Sequence, residues 1–150
     1  MKKKILIISQ YFPPDISGGG TRAFNYAKCL SQQNFEVTVI SAFPHLHANI
    51  PKKFRFKLLH KEKMDGFELI RVRVPSLLHT SARNRIILHL SFLISSMIPI
   101  FSIKPDVIFA SEPNLFSIIP AFFYSKLHGG SVIRIVDDLW PEVIYERGYV

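Results

Sequence analysis

Residues 4–23 read Lys4-Ile5-Leu6-Ile7-Ile8-Ser9-Gln10-Tyr11-Phe12-Pro13-Pro14-Asp15-Ile16-Ser17-Gly18-Gly19-Gly20-Thr21-Arg22-Ala23. The opening run, Lys4 to Gln10, is apolar on both faces, the pattern of a strand buried inside a parallel sheet. Pro13 and Pro14 remove consecutive backbone donors and break it. Three glycines follow, and Thr21 to Leu30 reads as a helix. A strand, a glycine turn and a helix N-terminus in that order make a site where backbone N–H groups point at an anion. The start Met1-Lys2-Lys3-Lys4 superficially resembles a secretory signal, but the apolar run is too short and Gln10 and the prolines interrupt it.

Strand and helix alternate through the rest of the chain. Glu36 to Ser41 reads as a second strand. Phe56–His60 and Phe67–Val74 read as two more, separated by a turn around Asp65-Gly66, a strong hairpin signal. The late alternation of Arg71 and Arg73 with Ile70, Val72 and Val74 predicts a wet, basic face at a sheet edge. Ile86 to Ile103 is the most apolar segment, Asp106–Ala110 a strand, and Leu115–His128 a helix stopped by Gly129-Gly130. Ser131–Val136 is the next strand, and a helix begins at Val143. The expectation is a single α/β domain over 1–150 with a doubly wound, Rossmann-like parallel sheet. Its ligands should bind beyond the carboxyl ends of the strands, where the glycine turn, the Phe43–Pro51 loop, Ser111-Glu112-Pro113 and 137–142 would converge.

With 48% apolar and 20% charged residues the chain is globular, and its net charge of +8 calls for an anionic partner. Ten basic residues between Lys52 and Arg85 face three acidic ones. Nucleic acid is disfavoured, because these residues lie on an expected sheet edge without interleaved exposed aromatics. Cys29 is the one cysteine, so no internal disulfide forms and a reducing cytoplasm is the simplest setting. It is expected as a core thiol on the apolar side of the first helix. His45 and His47 lie in a proline-bracketed loop without a neighbouring carboxylate or cysteine, so substrate or solvent contact is expected there and no metal.

Gly18 to Ala23 formally fits G-x-G-x-x-A, but seven residues with two prolines separate it from its strand. The place of the ribose-binding acid is taken by Ser41-Ala42-Phe43, which argues against a dinucleotide. No Gly-Lys-Ser or Gly-Lys-Thr follows for a P-loop. The glycines either let loop and helix pack closely or, with Arg22, approach a diphosphate or sugar hydroxyl. Asp137-Asp138-Leu139-Trp140-Pro141-Glu142 is the more specific signal. Carboxylates accept hydroxyl hydrogen bonds, a partly buried one can serve as general base, and a tryptophan ring packs on a sugar face. The same residues would also serve as a helix cap and a core aromatic.

Ser9-Gln10-Tyr11-Phe12-Pro13-Pro14-Asp15, the small-residue turn, Thr21-Arg22, Glu36-Val37-Thr38-Val39 and Asp138-Leu139-Trp140-Pro141-Glu142 together resemble the N-terminal half of family 4 glycosyltransferases. The likeness is greatest to branches that make bacterial surface polysaccharides, L-fucosamine transferases among them. It implies one half of a GT-B architecture, retaining transfer from a nucleotide-diphosphate sugar without a metal, and an acceptor-side role for this domain. It also implies that Gly18, Gly19, Gly20 and Arg22 approach the donor diphosphate. Asp138 would stand at the catalytic position that many relatives fill with histidine. Asp137, where close relatives often carry arginine, would contact substrate along with Trp140, Glu142, His45 and Glu112. The family's donor-binding domain would follow residue 150, so the chain is expected to be a fragment, a truncated product or half of a split enzyme, without turnover by itself. The alternative is a non-catalytic domain that docks a separate donor-binding chain.

Ile86–Ile103 approaches the roughly 18 apolar residues of a membrane span. Pro99 within it, and the strand that follows, favour a buried crossover helix. The alternative is a helix lying in a membrane surface, with Arg83 and Arg85 meeting lipid phosphates. That would suit a peripheral protein on the cytoplasmic face of the membrane, acting on a lipid-linked acceptor.

Overall fold

Strand β1 (Lys4–Ile8) lies in the middle of a six-stranded sheet in the computed structural model of the chain, parallel to its neighbour on either side. The structure describes residues 2–15, 18–44, 57–75, 81–111 and 115–136. On one flank stand β2 (Glu36–Ala42), β4 (Phe67–Val72) and β3 (Leu59–Met64); on the other stand β5 (Val107–Ser111) and β6 (Ser131–Ile135). Among the described residues only β3 runs antiparallel. Helices α1 (Gly18–Gln32), α2 (Ala82–Ile103) and α3 (Ile118–His128, entered through a 3₁₀ turn over Leu115–Ser117) make the crossovers. The result is an α/β fold with a mostly parallel mixed sheet, compatible with a Rossmann-like domain.

Period-two alternation sorts the core into two layers. Ile5 and Ile7, with Val37, Val39, Phe67 and Leu69, pack against Ala23 and Ala27 of α1. Leu6 and Ile8, with Ile40, Ile70, Val72, Ile108 and Ala110, pack against Leu88, Phe92 and Ile100 of α2 and Ala121 and Tyr124 of α3. Leu6, Ile7 and Ile8 are fully buried, and burial of each such side chain stabilises the fold by about 1.5–3 kcal/mol. Asp106 secures the amino ends of three strands. Its N–H donates to the Lys4 carbonyl at 2.9 Å, its carboxylate accepts from the Lys4 N–H at 2.7 Å, and its carbonyl accepts from Ser131 at 3.0 Å.

The hairpin is tighter than the sequence implies. Its turn is the two residues Asp65 (φ 43°) and Gly66 (φ 91°), the paired positive φ angles of a type I′ turn. β3 therefore runs Leu59–Met64, shifted toward the turn from the expected Phe56–His60. β3 also takes the edge, with Lys61 and Lys63 turned outward, and β4 lies one strand inside it. The expected wet face of β4 is absent, because Arg71 is only 5% exposed.

Two helical expectations change as well. Cys29 is exposed: Ala23 and Ala27 set the buried stripe of α1, and two residues beyond Ala27 the helix has turned by about 200°. α2 is capped by Ser81, whose hydroxyl accepts from the Asn84 N–H at 3.2 Å, and it runs through Pro99 without a break. It is a crossover helix buried on one side only. Leu88, Phe92 and Ile100 are inside, while Ile94 and Ile98 are 66% and 70% exposed.

Candidate functional site

The chain leaves β1 for the β2 side, while β5 continues to the β6 side. The strand order therefore opens a crevice at the carboxyl end of β1, where ligands bind in sheets of this kind. Beyond Ile8 the chain stays largely inside and surfaces at Pro13 and Pro14. Ser9, Gln10, Tyr11, Phe12 and Asp15 are all buried. Loops rarely run inside a protein, because their backbone polar groups need partners there. Here the partners come from the strand ends. The Ser9 N–H donates to the Ile40 carbonyl at 3.0 Å and the Ala42 N–H to the Gln10 carbonyl at 3.1 Å. The Ser41 hydroxyl also donates to the Gln10 carbonyl, at 3.2 Å. The Asp15 N–H closes the turn onto the Phe12 carbonyl at 3.1 Å.

Helix α2 brings two polar side chains to this loop from one of its faces, since Arg85 and His89 are four residues apart. His89 Nδ1 lies 2.7 Å from the side-chain oxygen of Gln10. An amide oxygen only accepts, so Nδ1 is the donor in this contact. Burial pushes the Tyr11 phenol pKa above its ordinary value of 10.0, the negative charge of Asp15 adds to this, and Arg85 partly offsets it. Tyr11 is therefore a neutral hydroxyl donor at physiological pH.

Arg71 closes the β4 side. Its Nε donates to Glu62 at 2.8 Å, its Nη2 to the Pro13 carbonyl at 2.6 Å and its Nη1 to the Ala42 carbonyl at 3.4 Å. One guanidinium thus holds the loop after β1, the end of β2 and the edge strand. It also floors a cleft of about 400 Å³ lined by Pro13, Pro14, Phe43, Pro44, Glu62 and Met64. A cavity of about 660 Å³ around Lys2, Phe35 and Lys63 sits at the amino ends of the strands, away from this crevice.

Gly18, Gly19 and Gly20 form the first turn of α1, where the sequence reading had a turn ahead of the helix. Gly19 and Gly20 are buried. The glycine backbone therefore stands at a helix N-terminus, whose first N–H groups have no partners within the helix itself and carry partial positive charge. Arg22 is exposed one turn further on. His45, Glu112, Asp137, Asp138, Trp140 and Glu142 lie outside the described residues. Among the described residues no three His, Cys, Asp or Glu side chains gather as a metal site requires.

The sequence reading missed Gln10, Tyr11, Asp15, Arg71, Arg85 and His89 as one constellation. A partial signal existed: Arg85 and His89 are polar residues one helical turn apart at the start of a largely apolar helix. Together these groups offer a phenol donor, an imidazole base, a carboxylate and cationic side chains beside a helix N-terminus. That set can bind and orient a polyhydroxylated or anionic ligand and move a proton at its hydroxyl. No protein-family model matches the chain, and no curated protein matches it.

Proposed function

We propose that this chain is the acceptor-side domain, the N-terminal half of a doubly wound GT-B arrangement, of a retaining glycosyltransferase of family 4 that uses nucleotide-diphosphate sugars. One observation carries the reading: the buried polar loop Ser9–Asp15 and the glycine-built N-terminus of α1 stand together at the carboxyl end of the central strand. Transfer to a sugar hydroxyl needs both kinds of group. Backbone N–H donors without Cβ atoms in the way suit a diphosphate leaving group. Tyr11, Asp15 and the His89 imidazole suit an acceptor hydroxyl that must be oriented and deprotonated. In this reading Gly18, Gly19, Gly20 and Arg22 face the diphosphate, and Asp138 is the catalytic-side carboxylate. Asp137, Trp140, Glu142, His45 and Glu112 contact substrate, and glycan or lipid-linked acceptors are the substrates extended.

The test is transfer of radiolabelled sugar from UDP-, GDP- and dTDP-sugars to a bacterial lipid extract. It compares the chain alone with the chain mixed with a donor-binding domain. Label in the lipid phase from the mixture supports the proposal. The reading fails if every donor gives none and UDP leaves the Gly19 and Gly20 amide resonances unmoved.

A further inference from the structure

Helices α2 and α3 cover the same face of the sheet, and each runs from the carboxyl end of one strand to the amino end of the next. They therefore lie side by side in the same direction, and they touch where the Phe101 ring meets Tyr124 at 6.0 Å and His128 at 5.4 Å. Their inner sides fill the core. Their outer sides are apolar too. Ile86, Leu90, Ile94 and Ile98, spaced four residues apart, are 51%, 41%, 66% and 70% exposed. Phe122, Phe123 and Leu127 of α3 extend the surface at 52%, 51% and 68% exposed.

Helix α1 on the opposite face of the sheet provides the comparison. Its outer positions are Arg22, Asn25, Tyr26, Lys28 and Cys29, an ordinary watered surface. The α2–α3 face lacks that character. It also lacks negative charge, because neither helix contains an aspartate or glutamate. Arg83 falls on the same arc as Ile86, Ile87, Leu90 and Ile94, Lys104 ends α2, and Lys126 lies 5.6 Å from the Phe122 ring. Arg85 belongs elsewhere, since it acts on Tyr11 in the crevice.

We infer that the outer face of α2 and α3 beds into the surface of an anionic lipid bilayer. The isoleucines, leucines and phenylalanines enter the headgroup–acyl boundary, and Arg83, Lys104 and Lys126 meet lipid phosphates. An apolar helix face whose charged residues are all cations, with Asp106 beyond the helix ends as the nearby acid, is the pattern of an interfacial helix. The long lysine and arginine stems let the charges reach phosphate while their methylenes stay in the apolar layer. Arg83–Ile103 has the length and composition to cross a membrane, with 28% of that segment buried in the protein. Crossing would strip Leu88, Phe92 and Ile100 from Leu6, Ile8 and Ile108 in the core, so the helix lies on the bilayer and does not span it. Self-pairing of this face would set cation against cation with no helix carboxylate to compensate, which disfavours a second copy as the occupant. The inference stands independently of the glycosyltransferase reading.

The experiment is co-sedimentation of the full chain with phosphatidylcholine vesicles and with phosphatidylcholine–phosphatidylglycerol vesicles. The wild type is expected to bind the anionic vesicles, more weakly as salt rises, and to bind neutral vesicles at least about tenfold more weakly. The double variant Ile94→Asp/Ile98→Asp, at positions already facing water, should lose about tenfold or more in partitioning with an unchanged circular dichroism spectrum. The charge variant Arg83→Glu/Lys126→Glu should lose the preference for anionic lipid while keeping the fold. Failure of the wild type to bind anionic vesicles at low salt overturns the inference. So does a dimer in light scattering that Ile94→Asp/Ile98→Asp dissociates, because a second copy would then be the occupant.

Discussion

Arg71 Nη2 donates a 2.6 Å hydrogen bond to the carbonyl oxygen of Pro13, 58 positions earlier in the chain. That bond fixes the shape of the loop after β1, because the same guanidinium is held by Glu62 on the edge strand at 2.8 Å. Arg71→Met should cost about 2–4 kcal/mol, since two carbonyls lose a donor and Glu62 loses its cation. Glu62→Gln keeps an acceptor for Nε but leaves the buried guanidinium, 6% exposed, without its counter-charge, so it should cost about 1–2 kcal/mol, less than Arg71→Met. Urea unfolding checks both: the midpoint should fall in that order with the slope unchanged.

Tyr11 sets a dependence on alkaline pH. Its folded-state pKa is raised above 10.0, chiefly by burial. Above pH 10.0 the unfolded chain loses this proton first, so the native state binds more protons and stability falls as pH rises through the folded-state value. Tyr124 shifts in the same direction, again through burial and then the nearby Asp106 charge. Tyr11→Phe should flatten the alkaline side of the stability curve, and Tyr11→Phe/Tyr124→Phe should flatten it further. Thermal melts across alkaline buffers measure this, and an unchanged slope in both variants contradicts the assignment.

Gly129 and Gly130 should respond differently to alanine. Both have positive φ, 78° and 98°, but a Cβ on Gly129 meets open space. On Gly130 it would come within 3.2 Å of the carbonyl oxygens of Pro105 and Asp106, which are backbone atoms. Gly129→Ala should cost about 1 kcal/mol from φ alone, and Gly130→Ala about 2–3 kcal/mol, within the range for strained backbone positions. Denaturant titration of the two variants side by side decides it.

His89 separates structure from chemistry. Under the proposed function, His89→Phe should lower transfer about 10²-fold or more through loss of the basic nitrogen. His89→Gln should restore the hydrogen bond to Gln10 but not the rate. Parallel rates and melting temperatures are the measurement, and recovery of rate in His89→Gln would reduce His89 to a positioning role.

Sequence legibility followed the range of the interactions. Strand β1, the Asp65-Gly66 turn and the helix stop at Gly129 were readable because each is decided by neighbours a few positions away. Arg71 was misread because Ile70-Arg71-Val72 alternates in the same way whether the arginine meets water or a folded-back loop. The contact of Gln10 with His89 spans 79 positions; the Arg85–His89 spacing marks a polar face on α2, but nothing local pairs that face with Gln10. Cys29 was placed on the apolar side of the first helix, although the spacing of Ala23 and Ala27 puts it outside. In α2 an apolar residue on every side left the sequence unable to say which side the sheet would cover. Of the candidate site, the strand end was legible; the glycines were expected as a turn and form the first turn of α1 instead, and the side chains converging there were not legible.

The central position of β1 has a consequence for biosynthesis. It is made before β2, and it finds that neighbour after one short helix. Its other neighbour, β5, begins at Val107. Until β5 is made the nascent chain therefore carries its most apolar strand with one hydrogen-bonding edge open, a template for pairing with other chains. Helix α2 is made just before β5 and carries the side chains that seal one face of β1. The protection of the nascent protein thus arrives late and all at once, and chaperone demand should peak just before the fifth strand emerges.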